Sequence, residues 1–227
     1  MGSRLAHRGL PGLARPPGLA HRGLPGLAGL LAVAVIAGCR TAPVQHAPAV
    51  SQPWDATRAE LQARDHFSFK GKIGVAAGKD GFNASLRWAQ AGTRSNVSLE
   101  GPLGVGGVQI NLDGDTLEVV NSHGDHLDSD AARAELAARL GFEPPLKSLR
   151  YWVLGVPDPT LPATESVDSE QQRLQSLEQE GWQIDYGAYA PTDITPVGSA
   201  GGLALPQKMT VQRPGVRVRL IVDGWSP

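Results

Sequence analysis

Residues 66–88 read HFSFKGKIGVAAGKDGFNASLRW, and the spacing of their apolar side chains decides the fold. Phe67, Phe69, Ile73 and Val75 share one parity, while Ser68, Lys70 and Lys72 take the other. After the turn residues Gly78-Lys79-Asp80-Gly81 the alternation restarts, with Phe82, Ala84, Leu86 and Trp88 set against Asn83, Ser85 and Arg87. Successive side chains of a strand point to opposite faces. A period of two with one wet face therefore predicts antiparallel strands rather than buried parallel ones.

The pattern extends outward from this hairpin. Val97 and Leu99 follow a turn at Ala91-Gly92; Val108, Ile110 and Leu112 come next; Leu117 and Val119 follow a turn at Asp113-Gly114. Towards the C-terminus the alternation returns in Trp182, Ile184 and Tyr186, in Met209 and Val211, and in Val216, Val218, Leu220 and Val222. Three stretches carry helical spacing instead. Trp54, Arg58 and Leu61 share a face behind Pro53. A second helix runs to Leu140, with Asp128 or Ser129 to cap it and Gly141 to close it. A short third follows Pro144-Pro145, with Leu146, Leu149, Trp152 and Val153 on one face and Gly155 and Pro157 to end it. From there to about Glu170 the chain reads as loop.

Every strand has one apolar face that must be covered, and short helices cannot hide roughly ten strands laid flat. The expected fold is mainly β (α+β): a single antiparallel sheet curled into an unclosed barrel with an α-helical lid. Its interior is either a packed core or a hydrophobic cavity for a greasy ligand. The residues expected to face that interior are Phe67, Phe69, Phe82, Leu86, Trp88, Val97, Leu99, Val108 and Ile110, with Leu149 and Trp152 on the lid.

The N-terminus carries a different message. Arg4, Arg8, Arg15 and Arg22 precede an apolar run, LAGLLAVAVIAG at 27–38, which is too short to span a bilayer and reads as a secretory signal. It ends in Ile36-Ala37-Gly38-Cys39, the pattern of a lipobox, in which the thiol accepts the lipid. Cys39 is the single cysteine, so neither an internal disulfide nor a multi-cysteine zinc site can form. The expected organisation is a signal peptide over 1–38, a lipidated N-terminus and Ala/Pro-rich tether over 39–52, and one domain over 53–227. Arg40, where an aspartate would favour the inner membrane, points to the outer membrane. The duplication of LAHRGLPGLA at 5–14 and 19–28 is far too short for a repeat architecture.

Charge and motifs exclude several function classes. Residues 1–38 hold four arginines and no acid, so the remainder is net acidic in a chain of formal charge -1. Such a domain lacks the basic stripe that neutralises phosphates, and nucleic acid is not an expected partner. No catalytic residues and no cofactor are expected. The glycine-rich run Gly101–Gly107 lacks the Lys-Ser/Thr of a phosphate loop and joins two strands. His123, Asp125, His126 and Asp128 read as a solvated turn between a strand and a helix, so no metal site is expected there. One loop is unusual: Pro102-Leu103-Gly104-Val105 sets two apolar residues where loops are normally polar, either folded back onto the core or presented outward.

Several motifs in fixed order resemble the LolB family of outer-membrane lipoprotein receptors. They are the Trp54 helix, GKIGV at 71–75, FNASLRW at 82–88, GPLG at 101–104, the LxxWxxGxP pattern from Leu149 through Trp152 and Gly155 to Pro157, Gly181-Trp182, the strand at Pro206, and Trp225. The resemblance spans about residues 53–225 and implies an acyl-chain cavity under a helical lid. It implies a receptor that accepts lipoproteins from the periplasmic carrier LolA and inserts them into the outer membrane, acting as a monomer held on the periplasmic face by its lipid. It also makes Leu103 the membrane-insertion residue. The stretch APTDITPVGSAGGLAL at 190–205 is longer than the family's usual connection. An assembly lipoprotein working through a sheet edge, or an envelope lipid binder, are the alternatives.

Overall fold

The computed structural model describes residues 53–102, 106–192 and 203–226. The described residues fall within one compact unit. Its order is α1 (Trp54–Gln62), β1 (His66–Ala77), β2 (Asp80–Ala91), β3 (Arg94–Glu100), β4 (Val108–Asp113), β5 (Thr116–Val120), β6 (His126–Asp128), α2 (Ser129–Leu140), α3 (Leu146–Trp152), β7 (Thr164–Asp168), β8 (Arg173–Gln179), β9 (Trp182–Pro191), β10 (Ala204–Arg213) and β11 (Val216–Ser226).

All eleven strands belong to one antiparallel sheet in the order β6-β5-β4-β3-β2-β1-β11-β10-β9-β8-β7. It consists of two meanders, β1–β6 and β7–β11, sewn together where β1 pairs β11. The end strands β6 and β7 are not paired with each other, so the fold is mainly β and the sheet unclosed, as its alternation predicts. One core cluster draws inward side chains from every strand, Leu127 of β6 and Val167 of β7 included. A flat sheet cannot bring both edges to one core, so this sheet curls.

Turn chemistry sets the register. Gly92 sits at φ 59 and is followed by Thr93, so β2 and β3 meet through two residues, with Ala91 opposite Arg94. A glycine at positive φ in the first turn position matches the right-handed twist of the flanking strands. At the seam, Gly71 stands at a register shift between β1 and β11, and a Cβ there would collide with the Ile221 carbonyl.

Two strands differ from the sequence expectation. Residues 164–168 (TESVD), read as loop, form β7, and His126–Asp128, read as turn, form β6. Both are short edge strands with no buried side chain, so neither carries the alternation that marks a half-buried strand. Both edges are covered. The Nε1 of Trp54 and a guanidinium nitrogen of Arg58 each donate to Glu165 of β7 at 2.8 Å, and α2 packs on β5 and β6. Gly141 closes α2 in the left-handed conformation expected of it, at φ 77, whereas the expected side-chain cap is missing: Asp128 makes no capping hydrogen bond.

Candidate functional site

The inward face of the curled sheet is apolar because each strand commits alternate positions to it. Along β2, Ala84, Leu86 and Trp88 are buried while Ser85, Arg87 and Ala89 are exposed. The segment from the end of α2 through α3 lies across this face. Between them lies a partly open hollow of about 90 Å3 lined only by apolar residues. Its floor includes Leu86, Trp88, Val97, Leu99 and Ile110 from one meander and Trp182, Met209, Val211, Val218 and Leu220 from the strands across the seam. Its roof is Leu140, Phe142, Pro144, Pro145, Leu146, Leu149 and Val153.

The sequence-predicted residues divide into those at the hollow and those beside it. Leu86, Trp88, Val97, Leu99, Ile110 and the lid residue Leu149 line it. Phe67 and Phe69 are buried but form an aromatic cluster: Phe69 stacks on Trp88 at 5.9 Å and meets Trp225 at 4.8 Å, and Phe67 meets Trp225 edge-on at 6.0 Å. Val108 is core without touching the hollow, and Phe82 packs half-buried against the core near the start of β2.

Trp152 is fully buried, and its surroundings are polar in a specific way. Its Nε1 donates to Gln179 Oε1 at 2.8 Å, and Tyr186 Oη donates to its carbonyl at 3.0 Å. Gln179, itself buried, also accepts from the Asp158 backbone N–H at 2.9 Å and donates to the carbonyls of Asp158 and Leu161. Ser148 Oγ donates to the buried Asp158 at 3.0 Å. A buried polar group without a partner costs about 1–3 kcal/mol, so this satisfied knot fixes the C-terminal end of α3 to β8 and β9. Burial pushes the phenols of Tyr186 and Tyr189 above their ordinary range, which keeps both as neutral donors. Tyr189 Oη donates to the Leu174 carbonyl at 2.8 Å.

The rest of the roof is held differently. Leu140, Phe142, Leu146 and Leu149 rest on apolar floor, and the Arg213 guanidinium lies over the Trp182 ring at 4.4 Å beside Phe142. Lys147 pairs with Asp115 on the surface, and that hydrogen bond holds the Asp115 carboxyl below its usual range. Histidine chemistry lies elsewhere: His126 Nδ1 is 3.1 Å from Glu118 on the β5–β6 edge, and no group of three His, Cys, Asp or Glu that could hold a metal occurs among the described residues.

Comparison with known proteins decides the family. Residues 65–225 match the family model described as outer membrane lipoprotein LolB. The chain belongs to the LolB family. Relatives named outer-membrane lipoprotein LolB include one from Nitrosococcus oceani, 31% identical over 87% of this chain and 94% of its own length. Another, from Pseudomonas putida, is 31% identical over 86% of this chain and 92% of its own length. The solved structure of a DUF1329-family protein from Desulfovibrio piger shares the fold, with TM-score 0.50 and 11% identity over 76% of this chain and 89% of that one.

In this LolB-family chain, Cys39, Leu103 and most of the 190–205 connection lie outside the described residues. Sequence reasoning missed the floor residues from β9–β11, although Met209, Val211, Val218 and Leu220 keep the period-two signal that would have included them. Phe142, Pro144 and Pro145 carried no such signal, because they fall between two helices.

Proposed function

We propose that this domain takes acyl chains of lipoproteins between its curled sheet and helical roof. It receives them from a LolA-like periplasmic carrier and releases them into the outer membrane, where Cys39 carries its own lipid anchor. The observation that carries this reading is the all-apolar hollow beneath a helical roof. Each CH2 removed from water contributes about 0.8 kcal/mol, so a lipidated protein crosses an aqueous space only with its chains covered. Transfer between two such covers needs no nucleotide. A difference of about 1.4 kcal/mol in affinity gives a tenfold bias towards the receptor.

The hollow of about 90 Å3 is smaller than the roughly 150 Å3 that admits a benzene molecule. The described conformation is therefore too narrow for a chain, and chains enter as the Phe142–Leu146 part of the roof moves, while α2 stays on β5 and β6 and the knot around Trp152 and Ser148 stays in place. Displaced roof residues leave an apolar floor, so the chains replace one set of apolar contacts by another. Leu103 enters the bilayer during release, and the receptor acts as a monomer.

The test is transfer. The mature chain with Cys39→Ala is offered carrier loaded with a lipoprotein, and the lipoprotein is expected to move onto it. Acyl-chain binding without transfer would assign a general lipid binder instead, and neither would end the receptor reading. Leu103→Glu is expected to leave uptake intact and to lower delivery into vesicles. Undisturbed delivery by the folded variant would remove the role of that residue.

A further inference from the structure

The back of the sheet has a character the receptor reading does not use. Across β10, β11, β1 and β2 the outward positions hold Lys208, Arg217, Arg219, Lys70, Lys72 and Arg87, all exposed. Only Arg87 has a carboxylate partner among the described residues, Glu100 at 2.6 Å; Arg217 donates to Gln212 at 3.2 Å. The outward acid on these strands is Asp223. In a mature chain that is net acidic, such a cluster is not a sample of the average surface. At its centre sits Ile221, 44% exposed, the one large hydrophobic residue so exposed among the described residues. Register places it directly between Lys72 on β1 and Lys208 on β10.

We propose that this face docks on the headgroups of an anionic phospholipid surface. Each cation near such a surface strengthens attachment roughly fivefold, and lysines let an apolar residue between them reach the headgroup boundary. The composition argues against a protein partner, because the cores of protein interfaces are depleted in lysine and need contiguous apolar area rather than a lone isoleucine. Position supports the same occupant. An open trough beside Ile221, floored by Gly74 and flanked by Lys72, Arg219 and the Glu100 that pairs with Arg87, runs to Pro102, from which the chain continues into the Leu103 loop. Docking this face therefore brings the base of that loop to the bilayer. The proposal deepens the receptor reading and rests on it for the presence of a membrane.

The test is cosedimentation of the mature chain with Cys39→Ala, using phosphatidylethanolamine vesicles with and without about a third phosphatidylglycerol. Binding is expected only to the anionic vesicles and is expected to weaken as salt rises. Lys72→Gln with Arg219→Gln should lower it roughly twentyfold, while Arg133→Gln with Lys147→Gln, an equal charge change on the helical side, should lower it far less. Near-UV circular dichroism checks that both variants fold. Equal losses in the two variants, or binding indifferent to lipid charge, would overturn the proposal, as would capture of an acidic protein by this face with no affinity for the anionic vesicles. Uptake of a fluorescent fatty acid, measured without vesicles, separates the two ideas. Normal uptake beside lost docking leaves the cavity reading standing, and docking without uptake in the unaltered chain sinks the cavity reading alone.

Discussion

The two ends of the helical roof are built from opposite chemistry. At the Trp152 end, every polar group of Gln179 is bonded, and the contacts are directional, buried and costly to break. At the Leu146–Leu149 end the side chains over the hollow are aliphatic, with one exposed ion pair from Lys147 and one cation over an aromatic ring, and Ser148 alone ties this stretch to the knot through Asp158. Hydrogen bonds lose their energy when geometry changes, whereas apolar contact is non-directional and can be made equally well with a hydrocarbon chain. Under the proposed function, the kind of bond used would confine motion to the apolar end of the roof, without a glycine-rich hinge.

That contrast can be broken from either side. The largest effect is expected from Trp152→Ala, which removes a fully buried indole and its partner in the knot; denaturant unfolding should show a loss of about 3–5 kcal/mol. Gln179→Leu keeps the volume but strands the Trp152 Nε1 and Asp158 N–H donors, so about 2–3 kcal/mol should be lost, and hydrogen exchange of α3 should rise to the level of the β7 edge. Leu149→Ala acts on the other end. About 1–2 kcal/mol of stability should go, yet uptake of a fluorescent acyl chain should become faster, an outcome opposite to that of any merely damaged fold. The smallest effect is expected from Lys147→Ala, whose exposed pair should leave unfolding unchanged and raise only the uptake rate. Acid extends the last test. The Asp115 carboxyl is depressed in the folded state, so what the pair contributes is present above the ordinary carboxylate range and is lost as pH falls through the lowered value. Uptake should therefore quicken in acid below the range where an unpaired aspartate titrates, and Lys147→Ala should abolish that change.

How far the sequence could be read follows the same division. The strands with a wet and a dry face were legible, since Phe67 through Trp88 spell out β1, the turn and β2 almost residue by residue. The edges were not, because TESVD and HLD bury little and are held by partners distant in sequence, such as Trp54 on Glu165. Within the site, Leu86, Val97, Leu99 and Ile110 followed from parity alone. Trp152 shares a helical face with Leu149, and spacing cannot tell a side chain that covers the hollow from one that pins the cover. That distinction is made by Gln179, twenty-seven positions away.

The seam between β1 and β11 has a consequence for biogenesis. Ten registered residue pairs join the first strand of the sheet to the last. A chain exported from its N-terminus presents the long border of β1 bare until the final segment has emerged. Contacts so far apart in sequence form slowly, and an unoccupied border invites pairing with foreign chains. A ribosome or exporter that stalls before residue 216 thus leaves a half-sheet with its oily side open, and such truncated products should be cleared by proteolysis or recovered in aggregates rather than as smaller functional receptors.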